Sequence, residues 1–332
     1  MQPSNLALFW AGVIAISILI YVILDGFDLG VGILFGLTRD RNNRSAMLDS
    51  IAPFWDGNET WLVIIGASLF AAFPLVYAVF LGAFYIPVLL LLFGLIFRGV
   101  AFEFRGRTVR FQWLWDWGFS IGSTVVAFVQ GAALGAMMRG IPVANGQFAG
   151  NAFDWVHPFP ILTGVGLVLG YALLGAGWIV FKSEGPLREW TYARIPWLAL
   201  GVFVVLGVAF AAAMTVDIGA ISQGIMPERR WGLVFPVIGV AALLWVIGGV
   251  RTRRDGVPFA MTTVFFIASY LTVGVIFWPY MVPYAVTVAN AAAPDASLGF
   301  IFWGGVIVLP MILVYTLGVY RVFKGKAQRG YR

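Results

Sequence analysis

The 332-residue sequence contains no cysteine. Disulfides, thiolate metal sites, iron–sulfur clusters and haem attached through Cys-x-x-Cys-His are therefore excluded. Histidine is nearly absent as well. The single imidazole, His157, cannot supply the axial ligands of several haems or a multi-histidine metal site. Charge is scarce, at 11% of residues against about 25% in globular proteins. No polar stretch is long enough to fold as a separate soluble domain. Residues 1–332 therefore read as a single integral membrane domain.

What fills the chain is apolar: 61% of residues are hydrophobic, arranged in recurring runs of about eighteen residues or more. The expected fold is an all-α polytopic membrane protein with nine transmembrane helices. They are placed at Leu8–Leu37, Pro53–Phe73, Val76–Phe97, Trp117–Met138, Pro158–Phe181, Pro196–Thr215, Gly232–Val250, Ala260–Tyr280 and Leu298–Val322. The first is long for a bilayer of about 30 Å and is expected to tilt or protrude. No basic region or small-residue cleavage site frames it as a cleaved signal, so it reads as a retained first helix. The very short connection around Phe73–Val76 makes its flanking helices antiparallel neighbours.

The net charge of +6 is a topology signal and not a nucleic-acid footprint, because the basic residues sit in short loops. Eighteen of the 21 Lys and Arg fall in one alternating set of connections: Arg39–Arg44, Arg98–Arg110, Lys182–Arg194, Arg251–Arg254 and the tail from Arg321. The other set holds Arg139, Arg229 and Arg230. This places the N-terminus outside (periplasmic) and the C-terminus in the cytoplasm. Gly131 with Gly135, and Gly166 with Gly170, are small-xxx-small packing steps. Pro87, Pro236 and Pro310 are expected to kink their spans.

Two acidic motifs stand out. Asp25-Gly-Phe-Asp28 lies in the first apolar run, and Asp56-Gly-Asn58-Glu59 opens the second. An unpaired carboxylate at such depth costs several kcal/mol unless it is protonated or hydrated. Asp25 and Asp28 share one helix face and are either a brace paired with an arginine or a proton-relay pair. Pro53 suits the first turn of a helix, which puts Asp56 within about a turn of the cytoplasmic face and Glu59 a turn deeper. The helix dipole accounts for Asp56 as an alternative to a proton route, but less well for Glu59. Trp55 and Trp61 flank the pair as interface anchors. Arg98 ends the third span, either as a positive-inside anchor or as a partner for Asp56, Asp25 or Asp28, with Glu103 and Arg105 just beyond. Asp116 reads as an N-cap of the fourth span, and His157 as a surface residue at a helix start.

At these motifs the sequence resembles subunit II of the cytochrome bd-type quinol oxidases. The matching stretches are Asp25-Gly-Phe-Asp28-Leu-Gly-Val-Gly32, Ser50 to Trp61, Leu69 to Tyr77, Phe97-Arg98 with Phe102-Glu103-Phe-Arg105, and Trp115-Asp-Trp-Gly118. They cover about the first 120 residues in the family's order; the remainder matches in hydropathy and span count. Trp-Asp-Gly-Asn-Glu-Thr-Trp and Phe-Arg-Gly-Val-Ala-Phe-Glu-Phe-Arg look like the cyanide-insensitive branch.

The resemblance implies two four-helix bundles plus a peripheral helix in the bacterial inner membrane. It implies an obligate, pseudosymmetric partner, subunit I, carrying haems b and d, oxidising quinol and reducing O2 to water. No cofactor or metal is expected directly on this chain and no nucleic acid as partner. The resemblance leaves room for a structural quinone or lipid and for a small single-span accessory subunit. Asp56 corresponds to a family carboxylate on the proton route, and Trp61 to a tryptophan at an oxygen-access channel. Asp25, Asp28, Glu59 and Glu103 join Asp56 as proton-pathway candidates, with Arg98, Trp55, Asn58 and Trp61 as supporting or channel residues. The intramembrane acids alone equally suit a stand-alone proton- or ion-coupled secondary transporter.

Overall fold

The computed structural model describes residues 2–108, 110–215 and 231–327. Arg229, Arg230, Arg329 and Arg332 lie outside the described residues. The helices are α1 Asn5–Phe35, α2 Arg41–Ile51, α3 Trp55–Ala72, α4 Pro74–Ala83, α5 Tyr85–Phe104, α6 Gln112–Arg139, α7 Pro158–Lys182, α8 Gly185–Tyr192, α9 Ile195–Thr215, α10 Val234–Arg251, α11 Gly256–Phe277, α12 Val288–Ala291 and α13 Asp295–Val322. Eight helices among the described residues are long and apolar enough to cross a membrane, and nine if the bent pair α3–α4 is one span. The protein is an all-α polytopic membrane protein.

The α3–α4 corner corrects the third span. Pro74 has no N–H to continue α3 and disfavours helical geometry in Phe73, so the chain turns by 120° between α3 and α4. Ten-residue α4 reaches only about 15 Å. The crossing helix is α5, Tyr85–Phe104 rather than Val76–Phe97. Arg98 therefore sits inside a helix instead of at its end, and it is 1% exposed, which removes its reading as an interfacial anchor. Pro87 and Pro236 occupy the first turns of α5 and α10, where proline is tolerated without a kink; Pro310 alone of the three lies inside its helix.

Neighbour relations follow small residues. A Cβ on Gly30 of α1 would strike the Tyr171 carbonyl of α7, and one on Gly175 would meet the Gly30 backbone, so α1 and α7 touch backbone to backbone. Gly131 and Gly135 do the same for α6 against Thr163 and Pro160 of α7. Helices α3, α1, α6 and α5 form one group, with α1 between α3 and α6 and α5 on α6. A second group closes a ring: α7 on α9, α9 on α10, α10 on α11, and α11 back on α7. Helices α1 and α6 join the groups through α7, and α13 lies outside against α1 and α3.

Loop ion pairs show that the basic segments share one face. Asp116 holds Arg44 from the α1–α3 connection at 2.6 Å and Arg105 from the α5–α6 connection. It stands a turn inside α6, which begins at Gln112 without a side-chain cap, so it is a loop clamp and not an N-cap. Asp255 gathers Arg188 and Lys326. The opposite face carries two hairpins. In β1 (Val143–Ala144) and β2 (Gln147–Phe148), Asn145 and Gly146 take φ of 52° and 73°, as a two-residue type I′ turn requires. The second hairpin pairs β3 (Tyr280–Val282) with β4 (Val286–Thr287). His157, at the N-cap position of α7, is half-buried rather than on the surface, and its Nδ1 is enclosed.

Candidate functional site: an arginine ringed by three carboxylates

Arg98 of α5 is the centre. Its Nη1 lies 3.1 Å from Asp25 Oδ1 and 3.7 Å from Glu59 Oε2, and its Nη2 lies 4.0 Å from Asp28 Oδ2. Asp25 and Asp28 are fully buried, and Glu59 keeps 28% of its side chain exposed. The three-residue spacing aims both aspartates from one face of α1. Gly122 of α6, where a Cβ would press on the Gly94 carbonyl, lets α6 lie against the α5 backbone beside Arg98. A buried guanidinium stripped of its partners would cost several kcal/mol, so the acids on α1 and α3 also hold α5 in place.

Two chains of neutral groups reach the acids. Asn58 Nδ2 donates to Asp28 Oδ2 at 2.7 Å and to the Leu24 carbonyl at 3.3 Å, while the Tyr320 hydroxyl of α13 donates to Asn58 Oδ1 at 3.0 Å. On the other side Tyr171 of α7 donates to Gln130 Oε1 at 3.1 Å, and Gln130 Nε2 of α6 donates to the Tyr21 hydroxyl at 2.7 Å. Tyr21 stands one turn before Asp25 and couples to its carboxyl. Asp25 Oδ2 and Asp28 Oδ1 have no hydrogen-bond partner among the described residues.

The structure thus unites Asp25, Asp28, Asn58, Glu59 and Arg98. Asp56 is exposed in the first turn of α3, near Glu59 but outside the ion pairs of Arg98. Glu103 is exposed on the last turn of α5, away from the cluster. Trp55 packs on Phe102 at 5.1 Å between ring centroids. Trp61 is buried beside Tyr21 and Ile65, its indole nitrogen unpartnered among the described residues. Sequence reading missed Tyr21, Gln130, Tyr171 and Tyr320. Tyr21 had a signal, since it lies four residues before Asp25 on the same face; Tyr320 is 262 positions from Asn58 and had none.

A family model described as cytochrome bd terminal oxidase subunit II matches residues 6–323. The chain belongs to this family. It is therefore one subunit of an oxidoreductase complex, in the bacterial inner membrane. It is 31% identical over 349 aligned residues to cytochrome bd-I ubiquinol oxidase subunit 2 of Escherichia coli K12, covering 94% of this chain and 92% of that one. To cytochrome bd ubiquinol oxidase subunit 2 of Bacillus subtilis it is 33% identical over 274 residues, covering 81% and 78%. The bd oxidase structure from Geobacillus thermodenitrificans shares the fold, with a TM-score of 0.75 over 97% of this chain and 99% of that one at 13% identity.

Proposed function

We propose that this chain is the haem-free subunit II of a bd-type quinol oxidase. In this reading it supports a haem-bearing subunit I in oxidising quinol and reducing O2 to water. Its intramembrane carboxylates contribute to proton uptake from the cytoplasmic side. The relatives named ubiquinol oxidase subunit 2 support the quinol and the partner. The donor set does not fit a haem in this chain: the sole histidine stands at the start of α7, and among the described residues no group of three His, Cys, Asp or Glu could hold a metal. A single histidine is too few for the axial ligands of several haems, which supports assigning the haem chemistry to the partner. The charge bias of the loops supports placing the basic face, toward which α3 opens, in the cytoplasm.

The observation that carries the proton reading is the ratio of acids to base. Three carboxylates face one guanidinium, so with every group ionised the site holds two negative charges in excess. A low-dielectric interior does not sustain that excess; protons neutralise it, and they enter through Glu59, the exposed member. Asp56, exposed one turn before Glu59, is the antenna on this route.

The test is quinol oxidase turnover of the intact complex carrying Glu59→Gln or Asp56→Asn. Each is expected to slow turnover with haem content retained, Glu59→Gln by about tenfold or more. Unchanged turnover in an intact complex would reduce Asp56 to a dipole partner of α3 and Glu59 to a brace. Loss of haem would make their role assembly.

A further inference from the structure

The two neutral chains that end on the acid cluster share one design: each passes through a carboxamide, and each carboxamide is gripped at its oxygen by a tyrosine. Tyr320 donates to Asn58 Oδ1 and Tyr171 donates to Gln130 Oε1. A side-chain amide has one acceptor end and one donor end. Once a hydroxyl donates to the oxygen, the network assigns the amide's orientation, and the NH2 group must face the other way. In both chains that way leads to an acid. Asn58 donates directly to Asp28. Gln130 donates to the Tyr21 oxygen, which leaves the Tyr21 hydrogen to be turned toward Asp25, one turn along α1, whose Oδ2 is otherwise unpartnered among the described residues.

This polarity has a consequence for protons. A hydroxyl, a carboxyl or a water passes a proton by accepting on one side and releasing on the other. A carboxamide cannot do so without becoming an imidic acid, a costly tautomer. We propose that Gln130 and Asn58 are positioning residues that hold donors onto Asp25 and Asp28 and close both chains to proton passage, leaving Glu59 as the outlet of the cluster among the described residues. Exposure agrees: Asp25 and Asp28 are fully enclosed, Arg98 is 1% exposed, and Glu59 is 28% exposed. The groups facing Asp25 are Tyr21 and Asp28 on α1, Glu59 on α3 with Asp56 beyond it, Arg98 on α5, Gln130 on α6, Tyr171 on α7 and Tyr320 on α13. The proposal deepens the proton-uptake reading and rests on it.

The experiment is a double-mutant cycle in the intact oxidase complex, reading turnover against pH and haem content. Gln130→Leu and Tyr21→Phe each remove a donor that favours ionised Asp25. Each is expected to displace the turnover–pH profile toward higher pH by about half a unit or more, haem content unchanged. The double variant moves it no further than either single one, because the residues act in series. Gln130→Glu, which keeps the size but can relay a proton, adds an ionisation to the profile that Gln130→Leu lacks. If Gln130→Leu compromises the complex, Tyr21→Phe, which deletes one hydroxyl, carries the comparison with Gln130→Glu. Additive displacements, or unchanged profiles while Asp25→Asn alters its own, overturn the positioning role and leave the acid cluster standing. An Asp25→Asn complex with full haem and an unchanged profile overturns the proton-uptake reading itself.

Discussion

Arg98 and Asp255 each anchor a cluster of opposite charges, with the stoichiometry reversed. Around Arg98 three acids share one base inside the helical core. Around Asp255, in the turn between α10 and α11, one acid takes Arg188 at 2.7 Å, Lys326 at 2.8 Å and the Tyr192 hydroxyl at 2.8 Å. Partial burial pushes the Asp255 carboxyl up, but hydrogen bonds from Arg188, Lys326 and Tyr192 outweigh it and hold the group well below the usual carboxylate range. Its charge is permanently compensated and its work is to tie loops together. The Arg98 cluster is under-compensated where compensation is dearest, and that imbalance is what the proton-uptake proposal rests on.

The harshest way to break the comparison is Arg98→Leu. It leaves Asp25 and Asp28 buried without a countercharge, and the expected loss is about 3 to 5 kcal/mol of stability. Haem-replete complex recovered from membranes is the measurement. Recovery equal to the parent would mean the carboxylates are neutral without Arg98, and the ion-pair description of the site would fall.

Asp255→Asn probes the other pole and is expected to cost roughly 1 to 2 kcal/mol, discounted for partial exposure, with turnover unchanged. Because folding depresses this carboxyl's affinity for protons, its stabilisation is fully present above its ordinary value of 3.8. It is lost as the pH falls below that value toward the depressed one. Thermal denaturation of the two proteins should therefore differ at neutral pH and converge in strong acid. A gap that widens on acidification would reverse the sign and refute the assignment.

Sequence alone reached much of the acid cluster because Asp25 and Asp28 sit three residues apart, a spacing that helix geometry converts directly into a shared face, and because Asn58 and Glu59 fall in one short motif with Asp56. Arg98 could be named as a partner, but its depth was hidden by the breaks at Phe73–Pro74 and Phe84, which shift the third crossing to Tyr85–Phe104. Nothing in hydropathy marks a 120° corner. Asp56 is placed on the proton route by the family resemblance, whereas the ion pairs of Arg98 run through Glu59. Helix α2 was read as loop because it is short and polar, although Asp40 caps it by accepting from the Asn43 amide at 2.9 Å. The tyrosines at 171 and 320 reach the site only through tertiary packing, which no local pattern encodes.

The smallest expected effect falls on the tail strap that completes the Asp255 cluster. Lys326 Nζ pairs with Asp255 Oδ2 and also donates to the carbonyls of Ser183 at 3.0 Å and Val180 at 3.2 Å, at the C-terminal end of α7. Those carbonyls have no partner within the helix, and a cation there also meets the negative end of its dipole. The backbone of the strap adds the Ala327 amide donating to the Lys182 carbonyl at 2.7 Å. Lys326→Met should cost about 1 kcal/mol or less, because a third of the side chain is exposed and water replaces part of what is lost. The two contributions respond differently to salt: the pair with Asp255 is screened, while hydrogen bonds to carbonyls are not. The difference in melting temperature between parent and Lys326→Met should accordingly shrink with added salt without vanishing. If it vanishes, Lys326 serves Asp255 alone; if it is insensitive to salt, the lysine is a helix cap and Asp255 is held by Arg188 and Tyr192.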